Sequence, residues 1–307
     1  YDIMDDMHEW IDKNKINWAY LSRNKNPAAI KLLQQNPNKI DWNQLSMNEN
    51  HAAIKLLEQH SDKINWTYFS GNKNPAAIKL LKEKLKENPD EIDWCYLSMN
   101  ENPAAIRLLK ENQDKINWQR LSRNENLEAI KLLKEKLKVN PDEIDWLYLS
   151  RNKNPAAIQL LEQYPNKIDW YHLSMNENTA AIELLKQHQD EIDWTGLSRN
   201  KNPAAIQLLE QYPNKIDWDF LSSNENPAAI KLLEQYPKNI YWAHLSMNEN
   251  PAAIKLLEQN QDKINWIHLS RNENPAAIKL LKQNQDKINW ERLSSNPAIF
   301  KSYSYTK

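Results

Sequence analysis

Apolar positions fall in blocks along this chain, and the blocks recur. Ile16, Trp18 and Leu21 are followed by Ala28, Ala29, Ile30, Leu32 and Leu33, and the same order returns from Ile40 onward. Trp18 and Leu21, three apart, share one face of a short helix, while the second block gives the broad apolar face of a longer amphipathic one. Polar residues supply the punctuation. Asp41 before Trp42 is a good N-cap, and Asn26 followed by Pro27 combines an N-cap with proline at the first helical position. Asn36-Pro37 ends the second helix, because a residue before proline resists the helical conformation.

The tryptophans measure the period. Twelve of them run from Trp18 to Trp290, nine of the eleven intervals are 24 residues, and two are 28. Counting each tryptophan as position 0, leucine stands at +3 in every copy except Phe69, serine at +4, asparagine at +6 and isoleucine at −2. A fixed period of this length predicts a repeat array, and helices too short to persist alone must bury their faces on neighbouring copies. The expected fold is therefore all-α: an α-solenoid of about twelve two-helix repeats, a curved rod about 100 Å long at a helix spacing of 8–10 Å. The expected organisation is an N-terminal capping helix over 1–17, a repeat array over 18–295 and a C-terminal cap and tail over 296–307. Ile3, Met7, Trp10 and Ile11 carry the helical spacing of the first cap, and residues 301–307 are expected to fray. The tryptophans, with Leu at +3 and Ile at −2, are expected in the core. Asn48 is expected in the left-handed conformation that ends a helix, since asparagine can replace glycine there.

Both 28-residue intervals contain the same four-residue insertion, at 82–85 and 134–137. Four residues make about one helical turn, so the second helix lengthens and its face is nearly kept.

Composition narrows the function. Glycine occurs only twice, at Gly71 and Gly196, so there is no phosphate-cradling loop and no dinucleotide fingerprint. A formal charge of −1 gives no global attraction to nucleic acid or an anionic membrane, and no apolar run approaches a membrane span. One cysteine, Cys95, excludes an intrachain disulfide and fits a reducing, intracellular setting. The first residues, with Asp2, Asp5 and Asp6, are too acidic for a secretory leader. Catalysis needs a local break in the pattern where nucleophile, base and orienting group gather, and none is visible. No enzyme activity, cofactor or metal is expected; His244 and His268 are one repeat apart and lack further ligands.

Variation between copies points elsewhere. Most offsets hardly change, whereas +1, +2 and +5 change freely. Positions +2 and +5 neighbour each other on the first helix. At +2 stand Tyr20, Tyr68, Tyr96, Arg120, Tyr148, His172, Phe220, His244 and His268, among others; at +5 stand Arg23, Arg123, Arg151, Met175, Met247 and Arg271. Seven of the eight arginines and four of the six methionines lie on this stripe, whereas the 32 lysines are mostly elsewhere. Tyr, Arg and Met are enriched in protein interfaces and Lys is depleted. The stripe is therefore expected to bind a protein or peptide partner, the array acting as a scaffold. A single-stranded RNA reader is the alternative, since aromatic, His and Arg side chains suit base stacking; without a basic track, nucleic acid is not the expected partner. A purely architectural spacer is the third reading. At +7, Lys25, Glu49, Lys73 and Glu101 alternate in sign and are expected to pair between adjacent repeats.

The run from Asn250 to Asn260, then Asp262 to Trp266, then Leu269-Ser270, resembles a family of short-repeat proteins encoded by large DNA viruses of eukaryotes, and the ending Leu293 to Phe300 is similar to how those proteins stop. The resemblance implies a viral origin and intracellular action, in the host cytoplasm or a virion, and implies no activity.

Overall fold

Cap residues set the helices where the pattern puts them. The computed structural model describes residues 6–305, and among these, twenty-three α-helices alternate short and long. Asp41 Oδ1 accepts the Gln44 N–H at 3.0 Å and starts the helix Trp42–Ser46. Asn50 Oδ1 accepts the Ala52 N–H at 2.9 Å and starts the helix His51–Gln59. A 3₁₀ turn over Ser61–Lys63 then leads through Ile64 to the next tryptophan. The chain is an all-α solenoid of these units. Residues 66–221 form one compact unit, here the central unit; residues 1–65 with 222–307 form the other, the terminal unit.

Two polar ladders stitch one repeat to the next, and they explain why serine and asparagine do not vary. In the central unit, Ser150 Oγ donates to the Trp146 carbonyl at 2.7 Å and accepts the N–H of Asp169, in the following repeat, at 3.0 Å. Asn152 Nδ2 donates backwards to the carbonyls of Ser122 at 3.2 Å and Asn124 at 2.9 Å, while its Oδ1 accepts the Asn154 N–H at 3.0 Å. Both side chains are buried, so each bond satisfies a group that water cannot reach. Asn48 makes the same bonds to Ser22 and Asn24 in the terminal unit. This corrects the expected left-handed cap: no described residue has positive φ, and Asn152 is extended, with φ −66° and ψ 122°. Asparagine is required for its two-sided amide, not for its backbone freedom.

Leu at +3, Ile at −2 and the Ala, Ile and Leu positions of the second helix make the core, as Leu149, Ile168, Ala157, Ile158 and Leu161 show. The tryptophans do not join it. All twelve are half-buried, and their rings form a seam covered by long side chains. Lys215 Nζ stands 5.1 Å over the Trp194 ring, and Tyr212 packs on the same indole at 5.1 Å. His188 packs likewise on Trp170 at 5.2 Å. Placed as the first residue of a short helix, the indole reaches the repeat edge, where a lysine, a histidine or a tyrosine covers the rings of Trp18, Trp170 and Trp146 respectively.

The insertions contribute to the seam. The second helices Pro75–Glu87 and Leu127–Val139 have 13 residues, against nine in Pro103–Glu111. The lysine of the 3₁₀ turn is replaced there by Glu91 and Glu143. Lys84 and Lys136, from the inserted turn, take its place over Trp66 at 5.1 Å and Trp118 at 4.8 Å. They are held by Glu91 at 2.9 Å and Glu143 at 3.2 Å.

In the terminal unit the first repeat packs on the last. Asn17 N–H donates to Ser294 Oγ at 2.9 Å, and Asn24 Nδ2 reaches the carbonyls of Ser294 and Asn296 at 3.5 and 3.4 Å. Lys15 Nζ stands over Trp290 at 5.1 Å, as Lys39 stands over Trp18 at 4.8 Å. The two free ends expected of the array are thereby corrected: within this unit repeat 12 is the neighbour of repeat 1. The capping helix expected within 1–17 is corrected too. Met7 instead forms an isolated antiparallel bridge with Phe300, flanked by His8 N–H to the Ile299 carbonyl at 3.0 Å and Lys301 N–H to the Asp6 carbonyl at 2.8 Å. Met7, Ile11, Ile299 and Phe300 are buried by this pairing, which a free amphipathic helix could not match; Ile3 lies outside the described residues. The tail does not fray as far as it is described. Tyr303 Oη donates to Glu273 Oε2, and Tyr305 Oη to the Glu249 carboxylate at 3.4 Å.

Candidate functional groove

The short first helix cannot bury all its sides. With Leu at +3 turned inward, positions +2 and +5 fall on a free side. In the central unit this side forms a groove of about 580 Å³ whose walls include Tyr96, Met99, Arg123, Tyr148, Arg151, His172, Met175 and Arg199. Alternate positions of the expected stripe thus meet in one place. The +7 residues Lys73, Glu101, Glu125, Lys153 and Glu177 complete it. The sequence showed the alternation at +7 but gave no sign that these side chains share a surface with the stripe. Their expected pairing occurs between Lys73 and Glu101 at 3.5 Å and between Lys153 and Glu177 at 3.3 Å. Lys25 pairs with Glu273 at 3.4 Å in the terminal unit.

The aromatic and arginine residues are ordered against one another. Arg123 lies over the ring of Tyr148, in the next repeat, at 4.8 Å, and Arg199 over Phe220 at 4.5 Å. Arg199 also donates to the hydroxyl of Tyr171, a +1 residue, at 3.2 Å. Tyr68 and Tyr96 meet edge to face at 6.3 Å. His172 Nδ1 lies 2.9 Å from the N-cap carboxylate of Asp169. A stacked guanidinium loses less side-chain freedom when a carboxylate arrives and keeps in-plane N–H groups to donate, apart from the one that Arg199 gives to Tyr171.

The two glycines suit this packing. A Cβ on Gly71 would stand 3.2 Å from Tyr96 Cδ1, and one on Gly196 only 2.5 Å from the Tyr171 carbonyl oxygen. Gly71 makes room for an aromatic ring of the groove, and Gly196 lets the first helices of two repeats approach.

Charge is distributed by residue type. Lysine supplies the cation in the ion pairs, as in Lys110 with Glu128 at 2.7 Å. No described arginine stands within ion-pair distance of a carboxylate. The stripe of the terminal unit follows the same rule. Arg292 lies 5.8 Å over Tyr20; Arg23 and Arg271 are exposed, and Met247 is exposed near His244. His268 is held below its ordinary value by burial, then by His244, Arg271 and Arg292, so that stretch is locally positive. Arg120, half-buried, is not among the lining residues of the groove.

No described group of three His, Cys, Asp or Glu side chains is arranged to hold a metal ion, and no described helix is long and apolar enough to cross a membrane. No family model matches the chain, and neither the curated proteins nor the solved structures yield a match.

Proposed function

We propose that the chain is a non-enzymatic interaction scaffold that binds a protein or peptide partner along the +2 and +5 side chains of its first helices. One observation carries this reading: seven of the eight arginines stand on that stripe, none has a carboxylate partner, and Arg123 and Arg199 are pre-set on aromatic rings. Idle surface is built of lysine, glutamate and glutamine, as the second helices are. Anchors of this kind, held by a scaffold before the partner arrives, carry most of the energy in typical interfaces. The resemblance to viral repeat proteins adds an intracellular setting to the proposal.

The test is affinity capture with the full chain. Tyr148→Ala with Arg151→Ala removes two groove side chains without touching the core, and should release the proteins that the parent retains. Lys255→Gln with Lys279→Gln, on exposed faces of second helices, should retain them. Equal capture by parent and groove variant overturns the proposal.

A further inference from the structure

The groove has a charge imbalance with a definite spacing. Five cationic side chains and three carboxylates line it; Lys73 with Glu101 and Lys153 with Glu177 neutralise each other. What remains is Arg123, Arg151 and Arg199 against Glu125 alone. Resting on the scaffold reading above, we infer that the central unit takes an extended acidic polypeptide segment, each of these three arginines receiving one carboxylate.

The spacing of the acids follows from the array. Adjacent repeats are about 8–10 Å apart, and an extended chain rises about 3.3 Å per residue, so one repeat spans about three residues of ligand. Arg123 and Arg151 belong to successive repeats, and Arg199 stands two repeats further on. The ligand therefore carries acids about three and then about six residues apart. Between Arg151 and Arg199 the repeat offers His172 and Met175, with no arginine, and an apolar ligand residue fits there. The carboxylate fork matches the guanidinium plane that Tyr148 and Phe220 hold. A continuous polyphosphate backbone fits worse, because Glu125 stands unneutralised among the arginines and the two lysines are already engaged.

The experiment titrates the full chain with fluorescent peptides. One has glutamates at the inferred spacing with a leucine between the distant pair, another is its reversed sequence, and a third is a scramble of the same composition; a single-stranded RNA of matching length is the fourth probe. One of the two ordered peptides should bind more tightly than the scramble and the RNA, and its affinity should fall with added salt. Arg151→Gln should weaken that peptide about tenfold, and the triple change of Arg123, Arg151 and Arg199 to Gln should abolish binding. Arg107→Gln, an identical charge change on an exposed second-helix face, should leave it intact. The inference is overturned if the peptide binds the triple variant as well as the parent, if the scramble binds equally, if RNA binds better, or if no peptide binds. Should no peptide bind while Tyr148→Ala with Arg151→Ala still releases captured partners, the acidic class falls and the scaffold reading stands.

Discussion

Ser294 Oγ accepts the backbone N–H of Asn17 at 2.9 Å across 277 residues of sequence, the bond that Ser150 makes to Asp169 across 19. Ser294 also donates to the Trp290 carbonyl at 2.6 Å, so the serine that closes the last short helix holds the first one. Ser294→Ala leaves a part-buried N–H without its acceptor and should cost about 1–2 kcal/mol, as should Ser150→Ala. Urea melts of the two variants provide the check; a near-neutral Ser294→Ala would mean that the first and last repeats do not pack as described.

The asparagine ladder makes a prediction of unusual sign. A residue ending a helix in the left-handed conformation is improved by glycine. Asn152 is extended and bridges to Ser122 and Asn124, so Asn152→Gly should lose about 2–3 kcal/mol, the penalty for buried carbonyls left without donors. Stabilisation by glycine in a thermal melt would restore the left-handed cap and remove the ladder.

Core and seam should separate in the same way. Leu173 is buried and Trp170 half-buried. Leu173→Ala should cost about 2–5 kcal/mol. Trp170→Ala, although it removes more atoms, should cost less than Leu173→Ala, because part of the residue already faces solvent. Denaturant midpoints in the reverse order would place the tryptophans back in the core.

Stability should fall with mild acid. His268 is held below its ordinary value near 6.5 by burial and by its cationic neighbours, and His8 by burial and Lys301. The folded state therefore favours the neutral ring and the unfolded state binds the proton more readily. That stability is fully present above the ordinary histidine value and is lost as pH falls through the depressed one. Thermal melts between pH 7.5 and 5 should show the decline, and His268→Gln should shrink it, with His8 leaving a remainder. An unchanged slope in the variant would remove His268 from this role.

Much of this architecture could be read from the chain, because the signals were local. Asn50 and Asp41 cap helices as their sequence neighbours imply, and the 13-residue helix Pro75–Glu87 is one turn longer, as the insertion required. What escaped depends on the repeat next door. Asn48 looked like a helix terminator, because its bonds to Ser22 and Asn24 exist only once the repeats stack. Trp194 looked like core until Lys215 and Tyr212 were seen to cover it from the edge. Met7 and Ile11 had helical spacing, but the pairing partner of Met7, Phe300, stands at the far end of the sequence. The stripe itself was legible from variation between copies; its union with the +7 charges was not, since it depends on how the first helix ends.

The methionines of the stripe offer the most direct test of the scaffold account. Met99 and Met175 line the groove, whereas Met7 is buried beside Phe300. Methyl-labelled methionine gives separate NMR reporters for these places in the full chain. On addition of a partner retained by the parent protein, the Met99 and Met175 methyl resonances should shift or broaden while Met7 stays in place. Binding that leaves Met99 and Met175 unmoved would contradict the account.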